Sequence, residues 1–169
     1  KIEEHISTNI NFTNLHFHNN ATTTANENGG AVFMEEGSGA TFTSCNFESN
    51  STDSYGGAIY VDGTSSDNCS LTLDKCIFNG NTAINGSSSN YAGAVGARYS
   101  TTILNNCLFH ENNSNYRSGA MNLNYGTTTA FNCTFEGNTA TDKGGGIRSY
   151  GGTHTFTNCI FYGNTGSSD

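Results

Sequence analysis

Glu35 and Asp62 are the carboxylates of this 169-residue sequence best placed to do chemistry. Each stands two residues after an aromatic side chain, Phe33 or Tyr60, and three residues after the last letter of a glycine-rich motif, "GGAV" (29–32) or "GGAI" (56–59). Arg98 and Asn124 occupy the same offset after "AGAV" (92–95) and "SGAM" (118–121). Paired carboxylates beside aromatic rings and an arginine are equipment for holding a cation or a sugar, or for acid–base cleavage of a glycosidic link. Only one acidic pair results, and Asp62 beside Arg98 reads as a surface ion pair of small value. The expectation is therefore a candidate ligand face, Glu35, Tyr60, Asp62 and Arg98, with no catalytic residue.

Cysteine is the second group with regular spacing. Cys45, Cys76, Cys107, Cys133 and Cys159 each precede a Phe by two residues. Such a row, with no histidine beside it, suits a stack of small apolar side chains better than a metal site. If the row is a ladder with rungs about 4.8 Å apart, neighbouring Cα atoms fall within bridging range, with the Cβ atoms at its upper limit. Cys69 lies outside the row, in an insertion; pairing with Cys45 or Cys76 and a free thiol are both open. His18, Glu48, Asn79, His110, Glu136 and Tyr162 follow a Phe by one position and should point outward. His110 over Glu136 is a candidate proton-transfer pair on what reads as solvated surface. His5, His16 and His154 join no cluster with metal spacing, so neither a metal nor another cofactor is expected.

What must position these residues is a repeat. Phe is followed three residues later by Asn in Phe17/Asn20, Phe47/Asn50, Phe78/Asn81, Phe109/Asn112, Phe135/Asn138 and Phe161/Asn164. The glycine motif falls once between successive pairs and ends with "GGGI" (144–147). Gly93 to Cys107, Gly119 to Cys133 and Gly145 to Cys159 are each 14 residues, and Cys107 to Gly119 and Cys133 to Gly145 are each 12, a repeat of 26. Longer repeats place their surplus in polar stretches, 62–70 and 84–91, which read as loops and as the variable contact surface. Apolar residues alternate with period two in Ile59/Val61, Leu71/Leu73 and Cys76/Phe78, so each repeat holds three short strands. The fold predicted is all-β: a right-handed parallel β-helix, or β-solenoid, of about six coils with 26–31 residue repeats, forming one domain over 1–169. The Phe and Asn columns then become structural ladders inside it. The Asn amide at a turn would bond its own backbone and the next amide, and the glycine pair would permit positive φ or close approach between coils.

Composition narrows the function. Six Lys and Arg against fourteen Asp and Glu give a net charge of −8, which argues against a nucleic-acid partner. No apolar run is long enough for a membrane span, and no leader is visible at "KIEEHISTNI". "TFT" at 41–43 and 155–157 resembles the flat threonine arrays of ice-binding solenoids, but Asp74, Ile103, Asn105 and Phe131 interrupt the columns. Asn-x-Ser/Thr sequons are no more numerous than chance allows. Asn68 and Asn85, in loops, are the candidate glycosylation sites, whereas Asn132, approaching Cys133, has less room. No cap is visible at either end, so the chain reads as a segment of a longer rod or as a protomer whose ends meet.

At "GGAI" and "FNGN" the sequence resembles the GGAI/FxxN repeats of the polymorphic outer-membrane proteins of chlamydiae, and related adhesin-like surface proteins, from Phe17 to Asn164. The resemblance implies an extracellular or cell-surface β-helix with an adhesive or structural role, and it maps the adhesion-linked FxxN motif onto the six Phe/Asn pairs. The expected function is a non-catalytic surface rod or head-to-tail fibre. Its partners would be its own ends and a host-surface or carbohydrate ligand. The alternative is a carbohydrate-binding or polysaccharide-cleaving β-helix of pectate-lyase-like architecture.

Overall fold

A computed structural model describes residues 9–24, 27–84 and 91–167. Among them every regular element is a β-strand and every pairing is parallel, each strand lying on its counterpart one repeat away. The strands form three sheets of nine, six and five strands. The described chain makes about five turns, where counting motifs suggested six; the sixth Phe/Asn pair supplies the last rung of the six-stranded sheet.

The turns between sheets are single residues in the left-handed conformation. One series, Asn14, Ser44, Lys75, Asn106, Asn132 and Asn158, precedes the Leu15/Cys row with φ of 53–56°. Another, Asn19, Ser49, Gly80, Glu111, Gly137 and Gly163, separates the outward residue after each Phe from the Asn ladder. Asn and Gly dominate both because they tolerate positive φ with the least steric cost. After each ladder Asn comes a two-residue strand, such as Ser51–Thr52 and Thr82–Ala83, forming the narrow third sheet. Sequence periodicity had no means of marking strands so short.

Two boundaries differ from expectation. In two of the short repeats the strand after the glycines and the next one fuse into single strands, Val95–Asn105 and Met121–Phe131, kinked at Tyr99 and Tyr125, whose φ values are 43° and 60°. In the last, of the same spacing, Ile147–Tyr150 and Thr153–Thr157 stay separate across Gly151 and Gly152. Longer repeats open a loop at that kink, at 36–38 and 63–68. Cys69 consequently belongs to strand Cys69–Asp74, in register with Ser100, and its side chain is in the core rather than in the insertion. The second predicted loop, 84–91, lies mostly outside the described residues.

Inside, the six Phe rings stack almost parallel with centroids 4.6–4.8 Å apart. The Asn ladder runs beside them. Asn112 Nδ2 donates to Phe78 O at 3.0 Å and to Asn138 Oδ1 at 2.9 Å, while Asn112 Oδ1 accepts from Asn81 N at 3.0 Å and Asn81 Nδ2 at 2.9 Å. The same bonds recur at every junction from Asn20 to Asn164. The amide-to-amide bond is as expected, but the backbone partners lie on the neighbouring rung and not on the residue itself.

The glycine motif divides its labour. The first position takes positive φ in four of the five motifs, 64° at Gly29, 68° at Gly56 and 63° at Gly144, with Ser118 managing the same conformation at 55°; Ala92 is the exception. The second position has no side chain because the next rung's backbone fills its place: a Cβ on Gly119 would lie 2.1 Å from Gly145 O and 2.4 Å from Thr139 N. This is why the motif decays to "SGAM" and never loses its second glycine. Gly119→Ala must push rungs apart and is expected to cost about 3 kcal/mol, the upper end of ordinary overpacking. Gly80→Ala, strained only in φ (62°) and with no atom nearer its Cβ position than Ser49 Oγ at 4.0 Å, should cost nearer about 1 kcal/mol; paired thermal melts check the order.

Candidate functional site

The outward face of the strands that follow the glycine motifs gathers most of the chain's chemistry. Side chains alternate there, so Val32 and Met34 enter the core while Phe33 and Glu35 face out. Register then builds two parallel columns. One runs Phe33, Tyr60, Gly96, Asn122, Arg148; the other runs Glu35, Asp62, Arg98, Asn124, Tyr150. Register thus brings the predicted ligand face together in a strip that grades from acidic to basic along the rod. Tyr60 departs from the expectation: it is only 2% exposed, covered by its aromatic neighbours, and Asn122 and Asn124 are buried too. Glu35, Asp62 and Arg98 are the predicted residues left at the surface.

Its groups are organised by contacts. Phe33 stacks on Tyr60 with centroids 5.8 Å apart, and Tyr55 and Tyr91 extend the aromatic patch from the turn beside it. Arg98 Nη1 donates to Asp62 Oδ1 at 2.7 Å, an interaction that raises the guanidinium pKa, and both side chains remain partly exposed. This is the ion pair expected from the sequence. Further along, Arg148 Nη1 donates to Asn122 Oδ1 at 3.3 Å, Arg117 Nε donates to Asp142 Oδ2 at 3.3 Å, and Arg117 lies over the Tyr116 ring. Burial lowers the pKa of Arg148, and the neighbouring Arg117 adds to that. A recess of about 600 Å³ opens at the acidic end, lined by Glu27, Asn28, Gly30, Phe33, Glu35 and Asp62. Such a groove can set a sugar ring against Phe33, the one aromatic side chain lining it, and bind its hydroxyls with carboxylates and the Asn28 amide.

Arg148 and Asn122 share the offset that singled out Phe33 and Tyr60, so the signal for them was present. Tyr91, Tyr116, Arg117 and Asp142 reach the strip from turns, and no repeat offset marks them. Outside the strip, Tyr99 and Tyr125 stack at 4.7 Å where the long strands kink.

The cysteine row packs into the core, buried from Cys45 to Cys133 and half-buried at Cys159. Among the described residues all six thiols are free, and Cys69 makes no bridge to Cys45 or Cys76. Cys76 Sγ donates to Phe42 O at 3.3 Å and Cys107 Sγ to Leu73 O at 3.4 Å, so the row ties one rung's corner to the previous rung's backbone. Thiol contacts with Cys133 and Cys76, then burial, raise the Cys107 pKa, while the Cys107 hydrogen bond lowers those of Cys76 and Cys133. Burial pushes Cys69 up to about 11.

The outward column after the Phe residues is as predicted, with His18 paired to Glu48, Asn79 to His110, and Glu136 to Tyr162. His110 Nδ1 lies 3.8 Å from Glu136 Oε2 and its Nε2 3.5 Å from Glu111 Oε1, an exposed ion-pair group. One expectation is overturned: His16 does join a cluster. Because His16 and His18 are two apart on one strand, both point outward, and His16 Nε2 lies 3.0 Å from Glu48 Oε2 on the next rung.

Of the glycosylation candidates, Asn68 is exposed, with its amide turned so that Nδ2 donates to Thr64 O at 2.9 Å and Tyr99 O at 3.3 Å. Asn85 lies outside the described residues. Asn132 is exposed at its corner, contrary to the expectation of little room, whereas Asn50 and Asn112 are buried in the ladder.

Searches of curated proteins and of solved structures gave no significant match. A family model described as the right handed beta helix region matches residues 30–168, from the first glycine motif through the last Phe/Asn pair. With its parallel rungs, inward Phe and Asn ladders and single-residue corners, the chain belongs to the right-handed beta helix family.

Proposed function

We propose that the protein is a non-catalytic, extracellular or cell-surface rod of adhesin-like type, whose polar and aromatic strip is its contact surface. The observation that carries this reading is the sameness of the rung junctions. The motif columns, Phe, Asn, Cys and the second Gly, are taken up by contacts between rungs, and these contacts repeat from one junction to the next. Selection for a rod accounts for such a pattern, and the resemblance to chlamydial surface-protein repeats points the same way. What each rung offers upward matches what it offers downward, so rungs of two copies can meet through the bonds used internally, giving end-to-end self-association. A host-surface or carbohydrate ligand fits the strip.

The recess beside Phe33, Glu35 and Asp62 favours a second reading, a carbohydrate-binding or polysaccharide-cleaving β-helix using Glu35, Tyr60, Asp62 and Arg98. A polysaccharide panel assayed for both retention and chain cleavage separates the two. The rod reading predicts no cleavage by the wild type; cleavage that disappears in Asp62→Asn, with the fold intact by circular dichroism, would overturn it.

A further inference from the structure

We propose that His16, His18 and Glu48 form a binding site for a borderline divalent transition ion of the zinc class, clamping two successive rungs. The three side chains occupy the outer face of strands His16–His18 and Asn46–Glu48, where the register sets His18 directly against Glu48 and His16 against Asn46. One nitrogen from each ring and one carboxylate oxygen lie within 4.8 Å of one another. Glu48 Oε2 is 3.0 Å from His16 Nε2 and 3.9 Å from His18 Nδ1. Zinc bonds of about 2.0–2.1 Å in tetrahedral array place ligand atoms about 3.3 Å apart, so the donors need only small side-chain rotations to close on an ion. Two imidazoles and one carboxylate select this class of metal over calcium or magnesium, which take oxygen donors.

A second observation stands at the same spot. Asn46 Oδ1 is buried without a hydrogen-bond partner, and Asn46 is the residue in register beside His16. Orphaned acceptors of this kind are costly unless something satisfies them. Three protein ligands leave a tetrahedral ion one open position for water, and a metal-bound water is a donor that Asn46 can accept from. The outer partner of His18 is also in place: its Nε2 lies 2.9 Å from Asn19 Nδ2. With His18 Nδ1 on the metal, Nε2 carries the proton, and a half-turn of the Asn19 amide presents Oδ1 to receive it. Ion binding would tie the first described rung to the second through side chains, adding to the backbone ladder.

Cobalt(II) titration of the whole chain, followed by visible ligand-field absorption, tests the site. The expected result is saturation at one ion per chain, with His16→Ala, His18→Ala and Glu48→Gln each weakening binding at least about tenfold and His110→Ala leaving it unchanged. A thermal midpoint raised by zinc in the wild type, but not in the His16→Ala/His18→Ala double variant, is expected alongside. Absence of a saturable signal, equal binding by wild type and the histidine variants, or an ultraviolet thiolate-to-cobalt band placing the ion on the cysteine row would each overturn the proposal.

Discussion

Replacing Asn112 with alanine is expected to destabilise the protein by about 4 kcal/mol, because it removes four buried hydrogen bonds worth about 1 kcal/mol each and leaves the Asn81 N–H without its acceptor. Asn81 Nδ2 keeps Phe47 O, and Asn138 Oδ1 keeps the Asn112 N–H. Asn112 is completely buried. Its amide satisfies Phe78 O on the rung below and Asn138 Oδ1 on the rung above, and its oxygen takes both the backbone and side-chain donors of Asn81. Alanine replaces none of these, and the space it leaves is closed to solvent. Asp is no rescue: it keeps the acceptor for Asn81 but brings a buried charge and loses both donors. Asn164→Ala, on the last described rung and only partly buried, removes bonds to Phe135 and Asn138 alone and should cost markedly less. At this chain length the Asn112 loss corresponds to a fall of about 10 °C in melting midpoint. Equal midpoints for the two variants would show that the ladder is not a source of stability.

Phe109→Ala is the second large effect, expected at about 4 kcal/mol from lost transfer energy and the residual cavity. Its ring lies between Phe78 at 4.7 Å and Phe135 at 4.8 Å, nearly parallel to both, in a core of Leu, Cys and Met side chains. The rung spacing is fixed by backbone hydrogen bonds, so neighbouring rings cannot slide together to fill the gap. Phe109→Leu keeps much of the volume and should recover more than half of the loss. Phe161→Ala provides the contrast, since that ring is 49% exposed and stacks on one side only. Chemical denaturation of the three variants measures the ranking directly. A Phe161 variant as unstable as the Phe109 variant would contradict the assignment of burial along the stack.

The fold was legible because a parallel rung structure converts sequence period into spatial column. Phe17 to Phe161, Asn20 to Asn164 and the cysteine row could be aligned by eye, and all three fall where a coil would place them. The two-residue strands such as Thr139–Ala140 were not legible, since nothing in two residues distinguishes a strand from a turn. Cys69 was misplaced for a related reason: in a longer repeat the loop closes before Cys69, and only the register with Ser100 shows that strand has resumed. The candidate ligand strip was half legible. Glu35, Asp62, Arg98 and Asn124 share one offset from the glycine motif, and the structure sets them in one column. Tyr91 and Tyr116 come from turns whose length varies between repeats, which no period predicts. His16 and His18 were visible as "HFH", but their carboxylate partner is 30 residues further along the chain for His18 and 32 for His16, and it came into view only when the outer faces were read as columns.

The measurement that tests the account most directly is electron microscopy of the purified chain across a concentration series, combined with diffraction from oriented material. A rod whose rungs add to rungs predicts elongated particles that lengthen with concentration and a meridional spacing of about 4.8 Å along their axis. Particles of fixed length at every concentration would contradict end-to-end joining, and compact particles without that axial spacing would contradict the rod itself.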